Sequence, residues 1–189
     1  MKRLALAAAL LTLLFVRGLP TRAQAPATAF VPVTDKMLQN PDPADWLMWR
    51  RTLNGWGYSP LNQINRNNVR QLALAWTRPM SAGLQEGTPI AYRGVMYLPN
   101  PSDVIQAINA KTGDLLWEYR RALPDDLTKF FPVPSINRKL SIWGSFIIDT
   151  SADDFAFALD AATGKLAWET KILDYQTGAQ QTSGPIVAN

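Results

Sequence analysis

Short runs of β-prone residues, separated by turn residues, follow a proline-rich lead-in at residues 26–43. Residues 93–98 (RGVMYL) and 141–148 (SIWGSFII) are two such runs, each rich in β-branched and aromatic side chains. One short helix is predicted around residues 67–72, where Asn65 could cap the turn that follows it. No long stretch has the period of a helix, so the pattern predicts an all-β fold.

An eleven-residue segment occurs twice, as AINAKTGDLLW at 107–117 and as ALDAATGKLAW at 158–168. A degenerate third copy ends at Trp76, so the terminal tryptophans are 41 and 51 residues apart. Repeats of about 40 to 50 residues that end in tryptophan are typical of four-stranded β-propeller blades. The acid or amide and the glycine predict a tight turn, and the tryptophan is expected to pack between neighbouring sheets. A β-sandwich with a chance duplication is the alternative.

A single blade cannot bury its own faces, and propellers usually close with four to eight blades. The residues after the lead-in suffice for two full blades and parts of others. We therefore expect only the first two to three blades of a larger propeller. Its unpaired strand edges would favour aggregation.

The formal charge of +4 arises from Lys2, Arg3, Arg17 and Arg22, since no acid lies in the first 25 residues. The basic and acidic residues of the remaining chain are equal in number. The charge therefore gives no indication of a nucleic-acid partner, and none is predicted.

The first 25 residues have the pattern of a secretory signal peptide: a basic start, an apolar run at 4–16, and a small-residue site, Ala23-Gln24-Ala25. The alternative is a membrane anchor, but an apolar run of 13 residues is shorter than the roughly 20 that span a bilayer. We predict a signal peptide at 1–25 with cleavage near Ala25, a lead-in at 26–44, and export to the periplasm.

The chain contains neither cysteine nor histidine. A disulfide framework, a lipid-anchored cysteine, histidine-dependent nucleophiles and the usual imidazole metal sites are thereby excluded. Carboxylates, lysine, tyrosine or a borrowed cofactor are the catalytic options that remain.

A nearly continuous set of motifs from residue 45 onward resembles the N-terminal part of pyrroloquinoline quinone (PQQ) dependent methanol and ethanol dehydrogenases. These motifs are DWL at 45–47, GYSPLNQIN at 57–65, NVRQL at 68–72, AWT at 75–77, QEGTP at 85–89, GVMY at 94–97, both tryptophan repeats, and TSGP at 182–185. The resemblance covers essentially all of residues 45–189. It identifies this region as the N-terminal part of a PQQ-binding propeller.

The resemblance implies an eight-bladed propeller with PQQ in the axial channel and a Ca²⁺ or lanthanide ion bound beside it. The implied reaction oxidises a primary alcohol to an aldehyde by hydride transfer to PQQ. Electrons would then pass to a cytochrome c or a membrane quinone. The family also allows a homodimer of the full-length protein.

Three residues match cofactor contacts of the family. Glu86 would hydrogen-bond the cofactor edge, Arg138 would pair with a PQQ carboxylate or the reducible quinone oxygen, and the hydroxyl of Thr182 would bind a cofactor carboxylate. A solvated acid, a plain surface arginine and a strand threonine are the respective alternatives.

Two positions depart from the family pattern. Many members carry a vicinal cysteine pair where this chain has Pro132 and Val133, so the resemblance points to the disulfide-free subgroup. Lys139 replaces the glycine found after the arginine in most relatives, and it is expected to crowd a tight turn.

The metal ligands and the catalytic aspartate of the family lie in later blades, so no catalytic or metal-binding residue is assigned in this chain. The chain is therefore expected to be inactive by itself. Asp153 and Asp154 are interpreted as acids of a solvated turn. Three further acids fit turn or lead-in positions equally well: Asp45, Asp103 and Asp160.

An exported, non-catalytic propeller that serves as a scaffold for protein interaction is the alternative function. A scaffold needs the blade turns and the tryptophans, but it has no use for cofactor-binding groups. Glu86 and the Asn137-Arg138 pair therefore favour the enzyme.

Overall fold

Eight strands in two separate sheets form most of the regular structure in residues 29–131 and 136–187, the part of the chain that the computed structural model describes. The predicted signal peptide lies outside these residues. The strands are β1 (Ile90–Tyr92), β2 (Val95–Asn100), β3 (Val104–Asn109), β4 (Leu115–Arg120), β5 (Ser141–Trp143), β6 (Phe146–Thr150), β7 (Phe155–Asp160) and β8 (Leu166–Lys171).

Each sheet is an antiparallel meander of four sequential strands, in the order β1-β2-β3-β4 and β5-β6-β7-β8. The register repeats, since Ile90 pairs with Tyr97 in the first sheet and Ser141 pairs with Ile148 at the same place in the second. The prediction of two complete blades is confirmed. The run at 141–148 is a hairpin and not a single strand, because Gly144 adopts a φ of 56° and turns the chain between β5 and β6.

The repeated turn between the last two strands of each sheet forms as predicted. The Asn109 side-chain oxygen accepts a hydrogen bond from the Lys111 backbone at 2.9 Å, and the Asp160 carboxylate accepts one from the Thr163 backbone at 2.8 Å. The glycines that follow, Gly113 and Gly164, have φ values of 76° and 72°. Only glycine adopts this left-handed conformation without steric cost.

Two of the three repeat tryptophans, Trp76 and Trp117, dock on the turn of the next repeat, whereas Trp168 is 42% exposed. Trp117 in β4 donates its indole N–H to the carbonyl of Ala161 at 3.0 Å, and its ring lies against Gly164 in the second sheet. Trp76 makes the equivalent bond to Ala110 at 3.1 Å. The packing predicted for these tryptophans is therefore present, although no strand is assigned around Trp76 within the described residues.

The lead-in contains an α-helix that the proline-rich composition did not predict, α1 (Asp35–Gln39), whose N-cap is Thr34. Isolated bridges join Val33 of the lead-in to Gly144, between β5 and β6, and Trp46, just after the lead-in, to Ala91 of β1. The N-terminal segment is thereby fastened to both sheets. Its apolar residues enter the one core cluster shared by the two sheets. Within the described range, no helix is long and apolar enough to cross a membrane.

Four short 3₁₀ helices complete the regular structure of the described residues. The helix predicted around 67–72 is one of them, with Asn68 as its N-cap residue. Asn65 caps the turn just before this helix, since its side chain accepts a hydrogen bond from the Asn67 backbone at 3.0 Å. The turn is too short for an α-helix. The 3₁₀ helices are Val69–Gln71, Pro101–Asp103, Leu127–Lys129 and Tyr175–Thr177.

Asp153 and Asp154 are buried, so their interpretation as acids of a solvated turn is wrong. Asp153 forms a two-pronged ion pair with Arg121, at 2.6 and 2.8 Å, which joins the second sheet to the end of β4. Burial and the neighbouring Asp153 raise the pKa of Asp154. A basic residue far away in the sequence accounts for the burial of Asp153, and no local pattern shows such a partner.

Asp103 is also buried, and its carboxylate accepts a hydrogen bond from the Ala152 backbone of the second sheet at 2.7 Å. Burial raises the pKa of Asp103 from 3.8 to about 6. Because the folded protein holds this proton more tightly than the unfolded chain, the resulting stability is complete below pH 3.8 and is lost as the pH rises through 6.

Asp103→Asn is therefore expected to reduce the pH dependence of stability. Between pH 4 and pH 7 the free energy of unfolding of the wild type should fall by up to about 3 kcal/mol more than that of the variant, which keeps an oxygen for the Ala152 N–H. Urea unfolding at a series of pH values measures both slopes. Equal slopes would show that Asp103 titrates normally.

Candidate functional site

Glu86, Arg138 and Thr182, the three residues proposed to contact a cofactor, come together in the structure. Arg138 donates from Nε to a carboxylate oxygen of Glu86 at 2.8 Å and from Nη1 to the backbone carbonyl of Thr182 at 3.3 Å. Glu86 precedes β1, Arg138 precedes β5 and Thr182 follows β8. Three stretches that are 44 or more residues apart therefore meet at one point.

Backbone contacts between the segments that precede β1 and β5 hold this cluster in place. The Thr88 N–H donates to the Arg138 carbonyl at 2.8 Å, and Thr88 pairs with Lys139 in a parallel bridge. Lys139 thus lies in a paired, extended segment, so the expectation that it crowds a tight turn is wrong. Gly184 lies directly over the Lys139 carbonyl, where any Cβ atom would clash.

A close approach of backbone to backbone also sets the position of Glu86. A Cβ atom on the next residue, Gly87, would lie 2.5 Å from the Pro99 carbonyl oxygen, and Gln85 donates a hydrogen bond to that same oxygen at 2.8 Å. The missing side chain of Gly87 lets the segment lie flat against the end of β2.

The cluster presents donors suited to an anionic ligand. The Arg138 and Glu86 side chains are 41% and 44% exposed, and an ion pair with that much solvent access contributes only about 0–1 kcal/mol. A ligand can therefore displace the Arg138–Glu86 ion pair at a small cost in free energy. Among the described residues, Nη2 of Arg138 and the hydroxyl of Thr182 have no hydrogen-bond partner, and both can donate to a carboxylate.

Lys139, the residue after Arg138, lines an apolar cavity of about 250 Å³. Pro185, three residues after Thr182, also lines it. Its wall also includes buried Leu47 and Ile142. Polar donors therefore stand beside an apolar surface, the usual combination in small-molecule sites.

Asn137 and Asp149 form a buried pair behind the cluster that sequence reasoning missed. The Asn137 amide donates to the Asp149 carboxyl at 2.5 Å, and the Thr150 backbone N–H donates to the other oxygen at 2.8 Å. Burial, together with the charge of Asp103, raises the pKa of Asp149 well above its ordinary value. The sequence offered one indication of this pair, because Asp149 is an acid inside the otherwise β-prone run FIIDT.

No group of three or more acidic side chains in residues 29–131 and 136–187 is arranged to hold a metal ion. The prediction for Pro132 and Val133, the positions of the family's vicinal cysteines, falls outside those residues. The arrangement is thus suited to binding an anionic molecule through arginine and hydroxyl donors.

Comparison with known proteins finds a match at residues 46–167 to the family described as glucose/ethanol/alcohol dehydrogenase, beta-propeller domain (PQQ). The chain is 37% identical over 132 residues to the dehydrogenase subunit of the quinone alcohol dehydrogenase of Gluconacetobacter polyoxogenes, covering 69% of this chain and 18% of the relative. It is 32% identical over 159 residues to quinoprotein alcohol dehydrogenase PedH of Pseudomonas putida, covering 82% and 26%.

Two solved structures have the same fold. Quinohemoprotein alcohol dehydrogenase ADH-IIG of Pseudomonas putida superimposes with a TM-score of 0.69 at 32% identity, covering 76% of this chain and 22% of that one. A europium-containing methanol dehydrogenase gives 0.69 at 30% identity, covering 77% and 26%. The chain therefore spans only about a fifth to a quarter of the length of these proteins.

Proposed function

Because the chain belongs to the PQQ β-propeller family of the glucose, ethanol and alcohol dehydrogenases, we propose that it is the N-terminal part of a periplasmic PQQ-dependent alcohol dehydrogenase. Glu86, Arg138 and Thr182 are its cofactor-binding residues. The convergence of these three residues on one point, from three separate stretches, is the observation that carries the proposal.

The residues present fit such a cofactor. PQQ is a planar ring system with carboxylates at its edge, and when bound it supplies the acceptor for a hydride from the alcohol carbon. Nη2 of Arg138 and the Thr182 hydroxyl are the donors for those carboxylates or for the quinone oxygen. Glu86 orients the guanidinium through its 2.8 Å bond. A scaffold for protein interaction has no need of this cluster.

The finer features of the function belong to the same proposal. The substrate is a primary alcohol, the ion beside the cofactor is Ca²⁺ or a lanthanide, and a cytochrome c or membrane quinone accepts the electrons. Europium, the metal of the structurally similar methanol dehydrogenase, is a lanthanide, which supports the second choice of ion. The proposal assigns the base and the metal ligands to other blades of the propeller, so the 189-residue chain is expected to be inactive alone.

Arg138→Ala is expected to weaken PQQ binding by about 10- to 100-fold, because it removes hydrogen bonds from a charged donor to a carboxylate. The measurement uses a chimera in which residues 46–187 replace the corresponding stretch of Pseudomonas putida ADH-IIG, with PQQ titrated into the metal-loaded apoprotein. Ethanol oxidation with a dye acceptor provides the second readout.

Arg120→Ala is the matched control, since Arg120 is also ion-paired but lies on β4 and is 64% exposed. It should bind PQQ like the unmodified chimera. Equal losses in both variants would contradict the assignment of Arg138. A folded chimera that neither binds PQQ nor oxidises alcohol would contradict the proposed function as a whole.

A further inference from the structure

The buried pair of Asn137 and Asp149 lies directly behind the cofactor-binding cluster. Asp149 is completely buried in β6, and Asn137 is 5% exposed. The two side chains meet at 2.5 Å, and the second oxygen of Asp149 accepts from the Thr150 backbone at 2.8 Å. Both carboxyl oxygens of this acid are therefore hydrogen-bonded inside the second sheet.

This contact fixes one end of the short segment that carries Arg138. Asn137 is the residue before Arg138, and its side chain is tied to β6 through Asp149. On the other side, the Arg138 carbonyl is tied to Thr88, which lies just before β1 of the first sheet, at 2.8 Å. The backbone of Arg138 is thus held between two sheets, while its side chain extends to Glu86.

The chemistry of the pair is unusual for a contact that only stabilises the core. No hydrogen bond or ion pair joins Asp149 to a basic side chain in the described part of the chain. The charged group that affects the pKa of Asp149 is another acid, Asp103. Burial raises the pKa of Asp149, so the neutral carboxyl is favoured. An apolar side chain would fill this place without any desolvation cost, but it could not hold the amide of Asn137.

We propose that Asp149 is a positioning residue for cofactor binding: through Asn137 it fixes the backbone of Arg138, so that the guanidinium is already in place for an anionic ligand. The proposal rests on the function proposed above for Arg138. It adds a residue that holds Arg138 in position without being part of the binding cluster, since Asp149 lies 11 residues after Arg138 in the sequence.

The test compares two substitutions of Asp149 in the chimera. Asp149→Leu keeps the branched shape of the side chain but removes the hydrogen bonds, and PQQ binding should weaken by about 10-fold or more. Asp149→Asn keeps a carbonyl oxygen for the Thr150 N–H, and its amide can donate to the Asn137 side-chain oxygen once the Asn137 carboxamide turns over, so this variant should restore binding. Because Asp149 acts through Arg138, the double variant Asp149→Leu/Arg138→Ala should bind no more weakly than Arg138→Ala alone. A further loss in the double variant would overturn the proposal.

A second readout in the 189-residue chain itself needs no cofactor. The Thr88 amide is bonded to the Arg138 carbonyl, so its hydrogen exchange should accelerate about 10-fold or more in Asp149→Leu, while the amides of β2 and β3 remain protected. Unchanged Thr88 exchange would overturn the positioning role even if the chimera binds no PQQ. If Asp149→Leu unfolds the chain, Asn137→Ala breaks the same contact from the other side.

Discussion

Replacing Gly164 by alanine is expected to destabilise the chain by about 2–5 kcal/mol. A Cβ atom at this position would lie 2.6 Å from the Trp117 indole, so the ring that joins the two sheets must move. The left-handed φ of 72° adds about 1–2 kcal/mol for any residue other than glycine, and displacing a packed ring adds about 1–3 kcal/mol. Urea unfolding followed by tryptophan fluorescence measures the change.

Gly94→Ala is the matched control for the cost of conformation alone. Gly94 has a φ of 80°, but nothing lies within 4 Å of the position that its Cβ would take. The free energy of unfolding of this variant should fall only by the cost of the left-handed conformation, about 1–2 kcal/mol. If the two variants are equally destabilised, the contact between Trp117 and Gly164 contributes nothing to joining the sheets.

The repeated turn could be predicted from the sequence because all of its interactions are local. The Asp160 carboxylate bonds to the backbone three residues ahead, and Gly164 ends the same turn. The docking of Trp117 was predictable for a related reason, since a repeat places the same surface beside each tryptophan. Its partner carbonyl, that of Ala161, occupies the same place in the second copy that Ala110 occupies in the first.

The features that sequence reasoning missed depend on partners far along the chain. Asp153 has the local pattern of a turn acid beside Asp154, and only the fold brings Arg121, 32 residues away, against it. The helix α1 was missed because it has only five residues, too few to show a period, and it forms where the lead-in packs on the sheets.

The candidate site was predicted only in part, again because some of its contacts join residues far apart in the sequence. Family resemblance marked Arg138, but it gave no information about what holds that residue in place. The sequence distinguishes Asn137 only as part of the Asn137-Arg138 pair. Its contact with Asp149 joins a loop to a strand, and neither residue alone indicates the pair.

Arg121→Met is expected to destabilise the chain by about 3–5 kcal/mol, the usual result of breaking a buried ion pair from one side. The Arg121 side chain is 8% exposed and is paired with Asp153 at 2.6 Å and with Glu169 at 2.8 Å. Its guanidinium also lies 4.7 Å from the Phe155 ring centre. Methionine preserves the apolar contact but leaves the charge of Asp153 buried without its partner. Urea unfolding of the 189-residue chain measures the loss.

Arg120→Met is the control, because this neighbouring residue is 64% exposed and should change stability by less than about 0.5 kcal/mol. The double variant Arg121→Met/Asp153→Asn should recover part of the loss, since it removes the unpaired charge as well. If the double variant is as unstable as Arg121→Met, the loss arises from packing and not from the buried charge. If Arg121→Met matches Arg120→Met, the ion pair does not join the sheets, and that role falls to the tryptophan contact and the Asp103–Ala152 bond.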